Sequence, residues 1–238
     1  MMRSRSATSC QPGREANESP FIDCVQTIFH YFRQWRLSGL WEAINTALRE
    51  QVRERMGRTP QPTASIIDSQ SVKTTEMGGP RGYDGGKKVH GRKRHLVVDT
   101  QGLLLKAKVH PADQHDRPAA ELVLTGLHQH YPGIRLLWAD TAYRGLAGWL
   151  GEQLGWSLEI TRPWWTGARV WVAAGQPPPE RPAGFQVLPR RWVVERTFAW
   201  LGRNRRLSKD YERLCETTET WIYLAMTRLM LRRIAKQQ

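Results

Sequence analysis

The stretch SIIDSQSVKTT, residues 65–75, decides the fold when it is read with two later stretches. These are LLWADTAYRG, residues 136–145, and RRWVVERTFAWLGRNRRL, residues 190–207. The apolar runs before Asp68 and Asp140 predict short buried strands, each ending at a carboxylate. Glu195 lies within an apolar pattern that predicts a helix. Three carboxylates on three separate elements suit a Mg²⁺ site for phosphoryl transfer, because the ion takes oxygen ligands and is held by gathered negative charge.

The composition favours a nucleic-acid partner. The 238 residues include 36 Lys and Arg against 22 Asp and Glu, a net charge of +14, and such an excess favours polyanions. No stretch reaches the roughly 18 apolar residues of a membrane helix, and the start MMRSRSATSC lacks the apolar core of a secretory signal. Three cysteines without a CxxC pair are typical of a reducing compartment. We expect a cytoplasmic, nucleoid-associated protein that binds DNA and no membrane.

The chain divides into three parts by pattern. Residues 1–20 are rich in Ser, Arg, Gly and Pro without a period, which predicts disorder. Residues 21–62 predict two short amphipathic helices, ended by Pro60 and Pro62. Residues 63–238 then form the main domain.

The main domain predicts a mixed sheet. A strand, a hairpin turning at residues 99–102, a helix, a strand, a helix and another strand indicate a mixed α/β sheet flanked by helices. Residues 79–93, GPRGYDGGKKVHGRK, predict a glycine-rich basic loop, and residues 166–186 a second loop or insertion. Helices are predicted from residues 189 to 207 and 217 to 236. In such a sheet, carboxylates at neighbouring strand ends can converge, and a following helix can bring a third.

Cations near these motifs are candidate contacts to the DNA backbone. Glycines in the 81–94 segment allow close approach to phosphates, and the segment has few acidic residues. Arg191 lies one turn before Glu195 and is either its i,i+4 ion-pair partner or a phosphate clamp. The remaining candidates are Lys73, Arg81, Lys87, Lys88, Arg92, Lys93, Arg94, Tyr143, Arg144, Arg205, Arg206 and Lys209.

Other polar residues have plainer interpretations. Asp99 precedes a predicted hairpin turn, and Asp140 can cap a helix as well as bind metal. Asp113 and Asp116 are expected in a loop and at an N-cap, with a supporting role left open. The histidine pairs lack the further ligands of a zinc site. Core packing is expected for Trp164, Trp165 and Trp171.

The chain from about residue 25 to residue 212 resembles the DDE transposases of bacterial insertion sequences. The resemblance rests on IIDSQSVKTT, GYDGGKKVHGRKRHLVVDTQGLL, ADTAYRG and WVVERTFAWLGRNRRLSKDYE. It implies an RNase H-like fold with a short helical N-terminal segment. It also implies that Asp68, Asp140 and Glu195 form a catalytic triad binding Mg²⁺, or Mn²⁺ in its place, and that the protein is a homo-oligomer on DNA.

The chain departs from a signature that many of these relatives carry on the last catalytic helix. Their Tyr, Arg, Glu and Lys would align with Leu188, Arg191, Glu195 and Gly202, so only the two middle positions match. The missing cation could come from Arg203 or from the arginines at 205 and 206.

The resemblance also implies an activity and leaves two alternatives. The implied activity is metal-dependent cleavage at the ends of an insertion sequence and transfer of the freed strand to target DNA. Relatives usually begin with a longer helical domain, so residues 21–62 are expected to be a remnant of a DNA-binding region. The open reading frame is then expected to be truncated or to depend on frameshifting. The alternatives are a nuclease that cuts without joining, and a non-catalytic DNA-binding product that inhibits or complements an intact transposase.

Overall fold

The computed structural model describes residues 20–161 and 190–236, which form two compact units divided after residue 38. The predicted disorder of residues 1–19 and the predicted loop at 166–186 lie outside the described residues. So do Trp164, Trp165, Trp171 and Leu188.

The first unit contains helix α1, Pro20–Leu37. It matches the first predicted helix. Several of its apolar side chains are exposed, including Ile28 and Phe29, which are 69% and 66% exposed.

The second unit, residues 39–238, contains the sheet and the other helices. Its strands are β1 (Ala64–Lys73), β2 (Gly82–Asp84), β3 (Val89–Asp99), β4 (Leu104–Pro111), β5 (Leu136–Ala139) and β6 (Ser157–Ile160). Its α-helices are α2 (Leu40–Arg55), α3 (Asp116–Leu124), α4 (Leu127–His130), α5 (Ala147–Leu154), α6 (Arg191–Gly202) and α7 (Cys215–Lys236). Two 3₁₀ helices cover Thr141–Leu146 and Arg205–Leu207.

The six strands form one mixed sheet. Its order is β2-β3-β1-β5-β6, with β4 also paired to β3. β3 is antiparallel to β1, β2 and β4, whereas β1, β5 and β6 are parallel. Helices flank this sheet, so the predicted mixed α/β class is confirmed, and the arrangement is consistent with the RNase H-like fold.

Alternation along the strands gives the sheet two apolar faces. On the first face, which we call the α6 face, Ile66, Leu96 and Trp138 pack in one cluster with residues of α6 and α7. On the second, the α3 face, Ile67 and Val97 pack in another cluster with residues of α3 and α5. Buried apolar area on both faces is what stabilises the central strands.

The predicted hairpin at 99–102 is confirmed. The Asp99 carboxylate accepts hydrogen bonds from the N–H groups of Gln101 and Leu103, and Gly102 supplies the left-handed φ of 77° that the turn requires. Arg53 of α2 donates to the same carboxylate at 2.6 Å. Asp99 therefore stabilises the turn and anchors α2.

The loop predicted at residues 79–93 is wrong, because this segment contains β2 and the start of β3. Gly91 is needed for strand pairing, since a Cβ there would lie against the carbonyl oxygen of Val72. Arg92 is fully buried and bonds Asp210 at 3.0 Å and the carbonyl oxygens of Glu212 and Arg213 at 2.8 Å. Internal partners thus make a basic stretch compatible with a central strand.

The helix predicted to reach Leu207 ends earlier, at Gly202. Asn204 has an extended backbone, and its side-chain Nδ2 donates to the carbonyl oxygens of Trp200 and Leu201. Together with the Asn204 N–H, which donates to the carbonyl oxygen of Leu201 at 2.9 Å, these bonds close the C-terminal end of α6. A short 3₁₀ helix follows.

The compact units do not divide at residue 62. Helix α2 belongs to the second unit, where Val52 packs with Leu103 and Met230 in a small apolar cluster. The origin of residues 21–62 as part of a DNA-binding region stays a prediction.

We expect Asp210→Ala to lower the free energy of unfolding by about 3–5 kcal/mol, because Arg92 would remain buried without its counter-charge. Urea denaturation followed by tryptophan fluorescence measures this. Glu121→Ala, which breaks the exposed Arg117–Glu121 pair, is the control and should cost less than about 1 kcal/mol. Equal losses in the two variants would contradict the structural role of the buried pair.

Candidate active site

Asp68 lies within β1 and Asp140 directly follows β5, and the two residues lie side by side. The prediction that the first strand ends at Asp68 is wrong, because β1 continues to Lys73. β1 and β5 run parallel, and the last paired residues are Ile66 and Trp138. Asp68 and Asp140 each follow two residues later, so they occupy corresponding positions beyond that pair. The two carboxylates that the sequence separates by about 70 residues are thus neighbours.

Both aspartates point to the α6 face. Side chains two residues apart share one face of a strand, and Ile66 and Trp138 belong to the apolar cluster of the α6 face. Asp140 also caps the following 3₁₀ helix, accepting from the N–H of Ala142 at 2.9 Å. Capping occupies one carboxylate oxygen and leaves the other available.

The Asp68 carboxyl is held in a poorly solvated position. Burial raises its pKa to about 6, and the negative charge of Asp140 adds to the rise. The hydrogen bond from the Ser69 N–H at 2.7 Å and the charges of Arg191 and Lys87 lower this pKa without cancelling the rise. A carboxylate in such a position favours a cation close by.

Helix α6 brings Arg191 and Glu195 to the same side. Nε of Arg191 lies 3.3 Å from Oε1 of Glu195, which is the expected i,i+4 ion pair. The Arg191 charge also acts on Asp68, and its Nε has no hydrogen-bond partner within the described part of the chain. This Nε is buried beside Glu195, whereas the side chain as a whole is 33% exposed, so the exposed part of the guanidinium is what can reach a phosphate oxygen.

An open groove of about 550 Å³ separates α6 from the end of β1, and we call it the catalytic groove. Glu195 lines it and is 50% exposed, so its carboxylate is accessible. The other lining residues are Ser69, Gln70, Ser71, Lys87, Phe198, Ala199 and Gly202.

The donor set suits a divalent cation. Two carboxylates on one face offer the oxygen ligands that Mg²⁺ takes, and their repulsion would be relieved by a shared cation. Within residues 20–161 and 190–236, no three acidic, His or Cys side chains are grouped closely enough to hold a metal ion. The structure thus places Asp68 and Asp140 together and Glu195 on α6 at the catalytic groove, and the complete triad stays a prediction.

A second polar cluster lies behind Asp68, on the α3 face. The Ser69 hydroxyl donates to Oδ1 of Asp116 at 3.0 Å, and Nζ of Lys93 lies 3.1 Å from the same oxygen. Burial raises the pKa of Asp116, but the charge of Lys93 and its hydrogen bond to the carboxylate keep that pKa well below its usual value. Ser69 joins this cluster to Asp68 through its N–H. Asp116 is therefore a positioning group behind the site.

Two stacked histidines extend this cluster. His110 Nδ1 lies 2.8 Å from the carbonyl oxygen of Pro111, which can only accept, so this nitrogen carries the proton. His110 Nε2 then accepts from His95 Nδ1 at 2.9 Å. Burial lowers the pKa of His110 to about 4, consistent with a neutral ring and a structural role.

Four predicted DNA contacts are wrong for this structure. Arg92, Lys93, Arg94 and Tyr143 are buried. The cations have internal partners: Arg94 donates to carbonyl oxygens at 207 and 209, and Lys93 to that of Gln114. Side chains buried in this way cannot reach a phosphate.

The other predicted contacts remain accessible and stay predictions. Arg191 is half-buried beside the carboxylates. The exposed ones are Lys73, Arg81, Lys87, Lys88, Arg144, Arg205, Arg206 and Lys209.

The sequence places Asp116 in a loop or at an N-cap and leaves a supporting role open, but it does not connect this residue with Ser69 or Lys93. The available signal was the run RKRH directly before LVVD, since consecutive polar residues that continue an apolar strand require internal partners. The neighbouring glycines obscured this signal, because they favour a loop.

The mixed sheet with its flanking helices is that of an RNase H-like α/β domain. Two family models, both described as a transposase DDE domain, match residues 59–160 and residues 161–232. The chain belongs to the transposase DDE domain family, which implies transposase activity, binding to DNA and use of a divalent metal. A search of curated proteins finds no match.

In the part of the chain that the structure describes, every helix is too short or too polar to cross a membrane.

We expect Asp68→Asn to raise the free energy of unfolding by about 1–3 kcal/mol in EDTA at pH 7.5, because it removes a poorly solvated charge worth about 1.4 kcal/mol per unit of pKa. Mg²⁺ should stabilise the wild type and have little effect on the variant. Urea denaturation with and without Mg²⁺ measures both effects. Asp113→Asn, in an exposed loop, is the matched control. Equal stabilisation of all three proteins by Mg²⁺ would show that Asp68 holds no metal.

Proposed function

We propose that this chain cuts DNA at the ends of an insertion sequence and joins the freed 3′-hydroxyl to target DNA. The proximity of Asp68 and Asp140 at neighbouring parallel strands, opposite the α6 helix, is the observation that supports it. Family membership supplies the class of substrate.

In this proposal Asp68, Asp140 and Glu195 hold divalent cations. When bound, such ions neutralise charge on the scissile phosphate and make the attacking hydroxyl easier to deprotonate. Arg191 uses the exposed part of its guanidinium, beside Asp68, to hold a non-bridging phosphate oxygen, a task that suits guanidinium geometry. Lys87, beside Ser69 and Asp68, adds positive charge to the same groove.

Two displacements at phosphorus complete the reaction. In the first, water attacks the phosphate at the element end, the bond to the 3′-oxygen breaks, and a free 3′-hydroxyl and a 5′-phosphate result. In the second, that 3′-hydroxyl attacks a target phosphate and displaces the target's 3′-oxygen. In the first step a water oxygen replaces the 3′-oxygen on phosphorus and a water proton goes to the leaving 3′-oxygen. In the second the attacking 3′-oxygen replaces that of the target, which leaves as a 3′-hydroxyl. No protein nucleophile is required.

The exposure of Glu195 favours one alternative. Its carboxylate pairs with Arg191 and is not grouped with the two aspartates. A DNA-binding product without catalytic activity, which inhibits or complements an intact transposase, would need no such grouping. Measured cleavage separates this alternative from the main proposal.

We expect Asp68→Asn and Glu195→Gln each to reduce Mg²⁺-dependent cleavage more than about 100-fold. Changes to residues that merely support metal ligands cost up to about 100-fold, and loss of a ligand itself should cost more. Duplex affinity should stay within about threefold of wild type, because non-specific binding depends on phosphate contacts. The assay follows cleavage of a duplex carrying the DNA that flanks the gene, and then transfer of the labelled strand to a plasmid. Asp113→Asn is the control and should cut normally. Wild-type cleavage by Asp68→Asn would refute its role, and absence of cleavage by the wild type would favour the non-catalytic alternative.

A further inference from the structure

A second groove lies between the end of α6 and helix α7, and we call it the α7 groove. It consists of two adjoining depressions of about 390 and 320 Å³, which share Arg203, Asn204, Ala225 and Arg228. Both depressions belong to the second compact unit.

The α7 groove is strongly basic and lacks compensating acidic groups. Among the described residues, its lining includes no Asp or Glu. Five of its cations have neither an ion pair nor a side-chain hydrogen bond to any described residue: Arg203, Arg205, Arg228, Arg232 and Lys236. Unpaired cations crowded into one concavity repel each other, so a polyanion bound there would relieve that repulsion.

Aromatic and acidic partners hold two further arginines at this groove in fixed positions. Arg233 stacks on the ring of Trp200 at 4.6 Å, and Arg206 lies 5.0 Å from the ring of Trp221. Nε of Arg206 also donates to Glu212 at 2.7 Å. Cations held on a helical framework lose less entropy when they bind phosphates.

The α7 groove is distinct from the catalytic groove. Glu195 lines the catalytic groove and Trp200 the α7 groove. Five residues along a helix correspond to a rotation of about 140°, so the two side chains point to nearly opposite sides of α6. One straight duplex lying in the catalytic groove does not fill both.

We propose that the α7 groove binds the phosphate backbone of a second DNA segment while a first segment lies at the carboxylates. The inference rests on the proposed function, because joining requires that the cut end and its target be held at the same time. Arginine-rich lining suits phosphates, whose charge and geometry match the guanidinium group. No base-reading contact is needed, so binding is independent of sequence.

The test compares two double variants with equal loss of charge. Arg228→Gln with Arg232→Gln removes two groove cations, and Arg58→Gln with Arg135→Gln removes two exposed cations outside both grooves. Affinity for a 30-base-pair duplex is measured by fluorescence anisotropy between 50 and 200 mM salt. The slope of log affinity against log salt concentration should be about 1.8 smaller in magnitude for the groove variant, at about 0.9 per lost phosphate contact. Raising the salt over this range should therefore weaken DNA binding by the groove variant about tenfold less than it weakens binding by the wild type. The control should keep the wild-type slope.

A bridging assay then distinguishes a protein that holds two DNA segments at once from one that holds a single segment. Immobilised duplex should retain a second, labelled duplex through the wild-type protein and the control variant. The groove variant should bind the immobilised duplex and fail to retain the second. Arg203→Gln with Lys236→Gln should behave in the same way, which guards against a folding defect in the first variant.

Each other outcome contradicts the inference. Equal salt slopes for the two double variants, or bridging retained by both groove variants, would show that the α7 groove is not a second DNA site. Lost self-association with unchanged DNA affinity would assign the groove to an acidic surface of another chain. The result for the groove is independent of catalysis. If the wild type cleaves DNA but does not bridge two duplexes, only the second DNA site is refuted. If it bridges through the α7 groove but does not cleave, only the proposed reaction is refuted.

Discussion

Burial of consecutive polar side chains at the centre of β3 is the constraint on which the rest of the structure depends. Arg92 and Arg94 point to the α6 face and bond the backbone between residues 207 and 213. Lys93 and His95 point to the α3 face and meet Asp116. Because a buried cation is costly without partners, these contacts fix the segments after α6 and before α3. One strand thus ties both helical layers to the sheet.

The candidate site follows from that arrangement. β1 lies between β3 and β5, so Asp68 is held on one side by a strand with internal charge pairs and on the other by the strand that leads to Asp140. Ser69 connects the Asp68 carboxylate to Asp116 on the opposite face. The Asp68 carboxylate is therefore positioned from behind by a polar cluster on the other face of the sheet.

The positive charge of the chain has two separate uses. Part of it is internal, where Arg92 pairs with Asp210 and Arg53 with Asp99. Another part is external and lines the α7 groove, while Lys87 lies at the catalytic groove. A net charge alone does not distinguish these uses, because a buried ion pair and a phosphate contact require the same residue types.

The sequence by itself determined the class of fold, the hairpin at 99–102 and the family. Strand alternation, helical periodicity and turn residues are local properties, so they can be recognised without coordinates. It also indicated Asp68 and Asp140, because each ends an apolar run. Only the tertiary structure decided that Arg92 is buried, that α2 packs in the second unit, and that unpaired arginines gather along α7. These outcomes depend on which distant residues meet, and burial of a charge is favourable only where the fold supplies its partner.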